Sequence, residues 1–238
     1  MCLIVFAWKL VPGCPLLLAA NRDEFFARPT QAAGWWEDHP DIYAGRDLKA
    51  GGTWLGVNRR GRFAALTNIR NGRAPRLDKR SRGELVADYL RDDADPLDYL
   101  GRVRAIAAEY NGFNLVFGDA QAMYWVSNDG EPAYRQLEPG IYGLSNGSID
   151  TPWPKVLRAK AQFASLICQG APDDAYFEML ADTTRASDHR LPDTGVSLEW
   201  ERLLSPICIE SEDYGTRAST LLRVHEGGVA QLRERSLR

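Results

Sequence analysis

The sequence predicts an α+β fold, a layered sandwich of largely antiparallel sheets and helices. Short apolar runs of strand length are joined mainly by tight turns, which favours antiparallel pairing because parallel strands need long crossover connections. Helical patterns occur in blocks between groups of strands, which disfavours a doubly wound sheet. A hydrophobic content of 45% over 238 residues supplies a sizeable core. No repeat or linker divides the chain, so residues 1–238 are expected to form a single domain.

Two hairpins are predicted in the first third of the chain. The apolar runs Cys2–Trp8 and Leu16–Asn21 flank a Pro-Gly turn. A second pair of runs covers Thr53–Asn58 and Arg62–Asn68, with an Arg-Arg-Gly turn between them. The segment 28–40, which lies between the hairpins, has a loop-like composition and is expected to carry no strand.

Two further segments of this region are distinguished by their composition. The glycine-rich segment 44–56 lacks the lysine and hydroxyl of a phosphate-binding loop and the spacing of a dinucleotide fingerprint. Its glycines therefore indicate a tight turn before a strand. The basic segment Ile69–Arg82 is predicted to be a long exposed loop, and loops of that length inside compact folds are often functional.

Helices and strands alternate in blocks through the rest of the chain. Ser81 followed by Glu84 has the spacing of a capping box, and Asp95 followed by Pro96 is typical of a helix start. The pattern therefore predicts a helix after each of these pairs. Two more helices are predicted over Trp153–Cys168 and Asp173–Leu180. Strands are predicted at Phe113–Gly118, Met123–Ser127, Gly140–Ser145, 205–211, 219–225 and 228–235.

Charge and composition exclude several classes of function. The net charge of −3 does not favour a nucleic-acid partner, and no apolar stretch reaches the length of a membrane span. The four cysteines lie far apart, without a C-x-x-C pair, and the chain has three histidines, so no zinc site or disulfide framework is indicated. Reduced cysteines are typical of a cytoplasmic location, which we expect for this chain. No metal or other cofactor is predicted.

Cys2 can be interpreted in two ways. At the end of an apolar strand a lone cysteine is usually a small packed hydrophobe. Alternatively, removal of Met1, which a small second residue favours, would leave one residue with both a thiol and a free α-amino group. An α-amine with a pKa of about 7.7–8.0 can act as a base at neutral pH, which is the logic of an N-terminal nucleophile.

Polar residues at the end of the second predicted strand lie in the segment "NRDEFF". Pairing of the first two strands would bring Arg22 and Asp23 close to Cys2. An arginine there would favour the thiolate, and a carboxylate would accept a hydrogen bond from the α-amine. The alternative is a surface cluster of ion pairs, which contributes little.

A serine hydrolase motif is also present in the letters of the sequence. The segment Gly143–Gly147, "GLSNG", matches G-x-S-x-G, and Asp188, His189 and His225 follow it. Two prolines, at positions 152 and 154, delay any helix after this segment, whereas a nucleophile elbow needs an immediate strand-to-helix turn. The pattern therefore disfavours a serine nucleophile.

Two other polar residues are candidates for binding. The side-chain amide of Asn146 at a strand end could donate to an oxyanion. Arg217 in "YGTRAST" is either a charge on a strand edge or a second positive group over the pocket.

The segments "MCLIVFAW", "LAANRDEFFARPT", "GGTWLGVN", "ALTN", "RGELV", "YNGFNLVFGD", "YGLSN", "WPKV" and "YGTRAST" together resemble one family over nearly the whole chain. This is the NRDE family, also called the transport and Golgi organisation protein 2 family. The resemblance implies a fold similar to the N-terminal nucleophile hydrolases, a four-layer αββα sandwich of two antiparallel sheets between helix layers.

The resemblance also implies a chemistry. In the cysteine members of that superfamily, bile-salt hydrolases and penicillin V acylases, the cysteine freed by initiator removal attacks a linear amide. Cys2 matches this nucleophile. An arginine and an aspartate assist it there, and Arg22 and Asp23 match them loosely because they are adjacent here. Their roles could instead fall on Asn21 or Glu24.

Other site residues follow from the same resemblance by position. Asparagines and a later arginine surround the pocket in those enzymes, which assigns a binding role to Asn21, Asn68, Asn146 and Arg217. The expected function is thus hydrolysis of a non-peptide linear amide by Cys2. The alternative is a non-catalytic protein that binds haem or an acyl lipid in the same pocket, since eukaryotic members are linked to haem or lipid handling and to the secretory pathway. Either function takes a small-molecule ligand.

Overall fold

The structure, a computed structural model, describes residues 2–129 and 133–238 and has the predicted architecture of sheets and helices. The strands are β1 (Cys2–Val11), β2 (Cys14–Phe25), β3 (Thr30–Trp35), β4 (Ile42–Asp47), β5 (Leu55–Asn58), β6 (Phe63–Asn68), β7 (Phe113–Gly118), β8 (Met123–Ser127), β9 (Ala133–Gln136), β10 (Gly140–Leu144), β11 (Tyr214–Val224) and β12 (Ala230–Ser236). The helices are α1 (Gly83–Arg91), α2 (Pro96–Ile106), α3 (Pro154–Cys168), α4 (Asp173–Leu180) and α5 (Leu198–Leu203), and short 3₁₀ turns cover Ala107–Glu109 and Asp188–Arg190.

The strands form two antiparallel sheets. Sheet A has the order β10-β1-β2-β11-β12, and sheet B runs from β3 to β9 in chain order. The strands of sheet B follow one another in chain order by short connections, except that residues 69–112, which contain α1 and α2, join β6 to β7. Sheet A instead collects strands from both ends of the chain and β10 from its middle. The two ends of the sequence therefore meet in one sheet, with β2 paired to both β1 and β11.

Three hydrophobic clusters separate four layers. Alternate residues of β1 show the division, because Ile4 and Phe6 pack between the sheets while Leu3 and Val5 pack against the helices on the other face of sheet A. The outer layer on sheet A is α3 and α4, and the outer layer on sheet B is α1 and α2. The predicted αββα sandwich is thereby confirmed.

Some local predictions are wrong. The segment 205–211 forms no strand, and its apolar character serves packing instead, because Ile207 is buried against the helix layer of sheet A. The segment 28–40 contains β3, an edge strand of small and polar residues that resembles a loop in composition. Ser81 does not cap α1, whose N-cap is Arg82 without a side-chain cap, and Glu84 pairs instead with the side chain of Arg80.

Other local predictions are confirmed. The Asp95 carboxylate accepts a hydrogen bond from the backbone N–H of Leu97 and Pro96 is the first helical residue, as expected for α2. The segment 69–82 is an irregular and largely exposed connection between β6 and α1. Within the described ranges, every helix is too short or too polar to cross a lipid bilayer.

Candidate functional site

Cys2 is the first described residue of β1 and lies opposite Arg22 of β2. Side chains two residues apart on a strand share a face, and Cys2 and Arg22 are each two residues from a residue that packs between the sheets, Ile4 and Ala20. Both side chains are therefore on the face of sheet A that is directed toward sheet B. Cys2 is buried, with 8% of its surface exposed. At this end of the sheets the apolar packing stops and a cavity begins.

The cavity has a volume of about 450 Å³, within the usual range for small-molecule sites. Its wall combines the ends of β1, β2, β6 and β11 with the loop 75–82 and the start of α1. Five of the predicted site residues line it: Cys2, Arg22, Asp23, Asn68 and Arg217. The fold therefore brings together residues that are up to 215 positions apart in the sequence.

Burial decides the protonation of the Cys2 thiol. Removal of the thiol from water raises its pKa, the carboxylate of Asp23 raises it further, and the guanidinium of Arg22 opposes the rise. At neutral pH the thiol is therefore protonated, and a reaction at sulfur needs a nearby base to take its proton. Met1, whose removal would expose the α-amine of Cys2, lies outside the described residues.

Asp23 is a buried carboxyl group at the end of β2. It is paired in register with Thr216 of β11, whose hydroxyl donates a hydrogen bond of 2.7 Å to Oδ1. Burial raises the pKa of Asp23, and the positive charge of Lys155 opposes that rise. This carboxyl group thus belongs to a buried set of titratable groups next to the cysteine.

Lys155 completes that set from the helix layer. It is the second residue of α3, is 3% exposed, and its Nζ atom has no hydrogen-bond partner within the described residues. Burial lowers the pKa of its ammonium group, while the charge of Asp23 acts in the opposite direction. Burial of an ammonium without a hydrogen-bond partner is unfavourable. The negative charge of Asp23 is the largest influence that favours the charged form of Lys155.

Asn68 and Arg217 reach the cavity from opposite sides. Asn68 ends β6 of sheet B, and its backbone oxygen accepts a hydrogen bond from the Asn146 side chain. Arg217 is the extra residue of a bulge in β11, where Thr216 pairs with Asp23 and Ala218 pairs with Arg22. A bulge re-aims the side chain of its extra residue, which here lines the cavity.

Two predicted binding residues lie behind the cavity wall. Asn21 is fully buried on the helix side of sheet A, where its amide donates to the backbone oxygens of Leu180 and Ile207. Asn146 is fully buried after β10, and its Nδ2 atom donates to the Asn68 backbone oxygen at 2.8 Å. Both side chains therefore hold other segments in place, and neither belongs to the cavity lining.

The serine motif has a structural role. Ser145 is buried, and its hydroxyl donates a hydrogen bond of 3.1 Å to the backbone oxygen of Cys2. α3 starts only at Pro154, and His225 lies at the other end of sheet A, beside the turn of the first hairpin at Gly13. The motif thus supports the position of the cysteine and forms no nucleophile elbow.

Several residues near the cysteine carry no assigned role in the sequence prediction. Lys155 lies in the segment "WPKV" and Arg82 in "RGELV", both of which contribute to the family resemblance. Tyr214 begins "YGTRAST", and burial raises the pKa of its buried phenol. Their membership of these segments was the available signal, but their spacing alone does not place them beside Cys2.

Substitution of Lys155 by methionine is expected to raise the pKa of Asp23 further, because it removes the cation that favours the carboxylate. A folded-state pKa above the unfolded value of about 3.9 gives stability that is complete below that pH and is lost as the pH rises through the folded-state pKa. In Lys155→Met the stability contributed by protonated Asp23 should therefore persist to a higher pH than in the unsubstituted chain before it is lost. The measurement is urea unfolding across a range of pH, for the unsubstituted chain and for Lys155→Met, each with and without Asp23→Asn. The difference in unfolding free energy on adding Asp23→Asn gives the contribution of Asp23 in each background.

The matched control for this experiment is Lys160→Met on the same helix. Lys160 pairs with Asp150 at 2.6 Å, so its replacement changes a more exposed ion pair and leaves the surroundings of Asp23 intact. If the contribution of Asp23 to stability has the same pH dependence in Lys155→Met and in the unsubstituted chain, Lys155 and Asp23 are not coupled.

Solved structures of other proteins share this fold, and two of them illustrate it. An N-acylethanolamine-hydrolyzing acid amidase ortholog from Caenorhabditis elegans superimposes with a TM-score of 0.57 at 9% identity, covering 95% of this chain and 93% of the other. The C2A mutant of a conjugated bile acid hydrolase from Clostridium perfringens has a TM-score of 0.55 at 10% identity, covering 99% and 92%. These likenesses confirm the predicted N-terminal nucleophile hydrolase fold.

Sequence relatives are much closer. The Transport and Golgi organization protein 2 homolog of Bos taurus is 39% identical over 260 residues, covering 100% of this chain and 93% of the relative. Transport and Golgi organization protein 2 of Drosophila melanogaster is 31% identical over 251 residues, covering 94% and 88%. The family description "Transport and Golgi organisation 2" matches residues 1–238. With matches of this length, the chain belongs to the Transport and Golgi organisation 2 family.

Proposed function

We propose that the protein is an amidohydrolase in which Cys2, after removal of Met1, cleaves a linear amide. The observation that carries this proposal is the position of Cys2 at the start of β1, in the wall of a cavity that also contains Arg22 and Asn68. A cysteine kept only for packing would lie within a hydrophobic cluster, as Cys14 does at the other end of the same hairpin.

The first half of the reaction forms a thioester. The Cys2 α-amine takes the thiol proton, and Sγ attacks the carbonyl carbon of the substrate amide. The carbon–nitrogen bond then breaks, and the ammonium returns the proton to the leaving nitrogen, so that a neutral amine departs. The raised pKa of the thiol is compatible with this sequence, since the proton moves only when the base and the carbonyl are both in place.

The second half hydrolyses that thioester. The same α-amine takes a proton from a water molecule, the hydroxide attacks the thioester carbonyl, and the thiol leaves with the proton, releasing a carboxylic acid. A negative oxygen forms in both halves and needs hydrogen-bond donors. The side-chain amide of Asn68 is the candidate donor in the cavity wall, and Asn146 acts by holding the backbone of Asn68.

The fold supports this assignment. The two solved structures named above are described as an acid amidase ortholog and a bile acid hydrolase, and the second is a mutant in which a cysteine at position 2 was replaced. A cysteine at the second position is thus a feature that this chain shares with a hydrolase of the same fold.

Acyl transfer to Cys2 can be tested by intact-mass measurement and peptide mapping. The purified full chain is incubated with a panel of N-acyl amides and quenched with acid during turnover. We expect a chain that lacks Met1 and carries one acyl group on the peptide that contains Cys2, with Cys168, an exposed free cysteine, unmodified. A chain that retains Met1, or acylation at Cys168 alone, would contradict the mechanism.

A further inference from the structure

The cavity beside Cys2 is far more basic than the protein as a whole. The chain has a net charge of −3, yet ten of the described lining residues are arginine or lysine and four are aspartate or glutamate. A concave surface of one sign concentrates ligands of the opposite sign. The charge of the cavity therefore indicates an anionic ligand.

Several of the cations are neutralised by neighbours. Arg28 pairs with Asp47 at 2.6 Å, and Arg46, Arg76 and Arg80 also have carboxylate partners. Within residues 2–129 and 133–238, four guanidiniums of the lining have no carboxylate of another residue within 4.0 Å. One of them belongs to the exposed residue Arg238, and we call the other three the basic wall. The basic wall consists of Arg22, Arg82 and Arg217.

The hydrogen bonds of the basic wall go to neutral groups. Arg22 donates to the Thr30 hydroxyl at 3.1 Å, and Arg82 donates to the Gly112 backbone oxygen at 3.0 Å. Arg217 donates to backbone oxygens of the segment 25–28. These bonds fix the side chains in position without cancelling their charge, and each guanidinium has five N–H groups, so donors remain for a ligand.

Arg22 gives the strongest indication that the cavity binds an anion. It is 7% exposed, and burial of a guanidinium without a counter-ion is unfavourable because the charge loses its hydration. The carboxylate of Glu234 lies within electrostatic reach of Arg22 but accepts a hydrogen bond from the backbone N–H of Ala33 at 2.7 Å. A ligand anion in the cavity would supply the charge partner that Arg22 lacks.

The three side chains of the basic wall are near enough to act together. Burial lowers the pKa of Arg217, the positive charge of Arg22 lowers it further, and the more distant carboxylate of Glu24 opposes the change. Burial also lowers the pKa of Arg82, against the same carboxylate, and the charge of Arg82 is within reach of Cys2. These directions describe cations gathered around the cysteine in a poorly solvated place, where an anion relieves both the burial cost and the mutual repulsion.

The backbone adds a fourth group to this site. Ser81, Arg82 and Gly83 line the cavity where α1 begins, and the dipole of this nine-residue helix places partial positive charge at that end. The N–H groups of Glu84 and Leu85 already donate to the backbone oxygens of Ser81 and Arg82, so the contribution of the helix is this charge. Gly52 packs directly on this turn, since a Cβ atom there would lie 2.5 Å from the backbone of Gly83. The positive end of α1 is thus held beside the basic wall, an arrangement suited to carboxylate or phosphate oxygens.

We propose that the substrate cleaved at Cys2 carries an anionic group, a carboxylate or a phosphate, which binds between the basic wall and the start of α1. That the ligand is a substrate rests on the proposed amidohydrolase function, but the anion site itself does not depend on catalysis. A wholly neutral amide would leave all three guanidiniums of the basic wall without a charge partner.

The anion site can be tested without any turnover. Calorimetric titration of the Cys2→Ala chain with inorganic pyrophosphate and with succinate, at low ionic strength, is expected to show saturable binding of at least one of them. The tighter ligand distinguishes a phosphate site from a carboxylate site. Arg82→Gln and Arg217→Gln should each weaken that binding about tenfold, or about 1.4 kcal/mol. Arg104→Gln, an exposed arginine on α2 outside the cavity, should leave it unchanged.

Alkylation of the unsubstituted chain connects the anion site to the cysteine. Iodoacetate is an anion and iodoacetamide is neutral. The rate with iodoacetate divided by the rate with iodoacetamide is measured at Cys2 and at exposed Cys168, and the value at Cys2 divided by the value at Cys168 measures the attraction of an anion to Cys2. We expect this value to exceed one and to fall in Arg82→Gln. The absence of binding of both anions to Cys2→Ala, or binding that neither arginine substitution weakens, would overturn the proposal. Anion binding together with an unreactive Cys2 would instead overturn the proposed hydrolase function and leave the anion site standing.

Discussion

Replacement of Cys2 by alanine is expected to abolish amide hydrolysis, lowering kcat/KM by about 10³-fold or more, while the protein stays folded. Loss of the nucleophile removes the covalent route entirely, and the remaining hydrogen-bond donors in the cavity cannot replace it. The fold should tolerate the change because Cys2 is at the end of β1, where it borders the cavity and is outside the hydrophobic clusters. Steady-state kinetics on the amide that acylates the protein measures the effect.

Cys14→Ala is the matched control for this substitution. Cys14 is also buried and begins β2 at the opposite end of the same hairpin, where it packs against the helix layer. The control should lose some stability and keep its turnover, whereas Cys2→Ala should keep its melting temperature and lose its turnover. Equal turnover in Cys2→Ala and the unsubstituted chain would refute the assigned nucleophile.

The second large effect concerns stability. Glu201→Ala is expected to lower the free energy of unfolding by about 3–5 kcal/mol, the usual cost of breaking a buried ion pair from one side. The Glu201 carboxylate lies 2.8 Å from the guanidinium of Arg70, and both side chains are almost completely buried. It also accepts hydrogen bonds from the backbone and the hydroxyl of Thr194. Removal of the carboxylate therefore leaves a buried guanidinium and two donors without this acceptor.

An exposed ion pair provides the comparison. Asp78 pairs with Arg76 at 2.6 Å in the same long loop that contains Arg70, but both partners are more than half exposed. Asp78→Ala should change the free energy of unfolding by less than about 1 kcal/mol, since water and salt screen such pairs. Chemical denaturation of the two variants at the same pH compares them, and similar small losses in both would show that the Arg70–Glu201 pair is not a structural anchor.

The first hairpin shows how far local sequence determines this fold. Apolar runs on both sides of a Pro-Gly turn are sufficient to predict β1 and β2, and their pairing brings Arg22 opposite Cys2. The same reasoning fails for 205–211, since an apolar segment packs equally well as an irregular chain when a helix layer covers it. β3 is missed for the opposite reason, because an edge strand exposed to water needs no apolar alternation.

The chemistry of the site shows a different limit. Cys2, Arg22 and Asp23 can be predicted because they lie on neighbouring strands, whereas Lys155 reaches Asp23 from a helix that starts more than 130 residues later. Arg82 is similarly brought to the cavity by the packing of α1 on the turn at Gly52. Such contacts depend on the assembly of layers, which no local pattern encodes.

The bonds made by Asn146 also bear on how a ligand is selected. Its side chain holds the end of β6 in sheet B, and its backbone oxygen accepts a hydrogen bond from the Arg70 backbone N–H, although Asn146 itself follows a strand of sheet A. The two sheets are thus fastened together at the cavity end, so the gap between Cys2 and Asn68 cannot widen by sliding of one sheet over the other. A ligand of the proposed site would therefore meet a preorganised cleft, which loses little conformational entropy on binding, beside the irregular loop 75–82 that also lines the cavity.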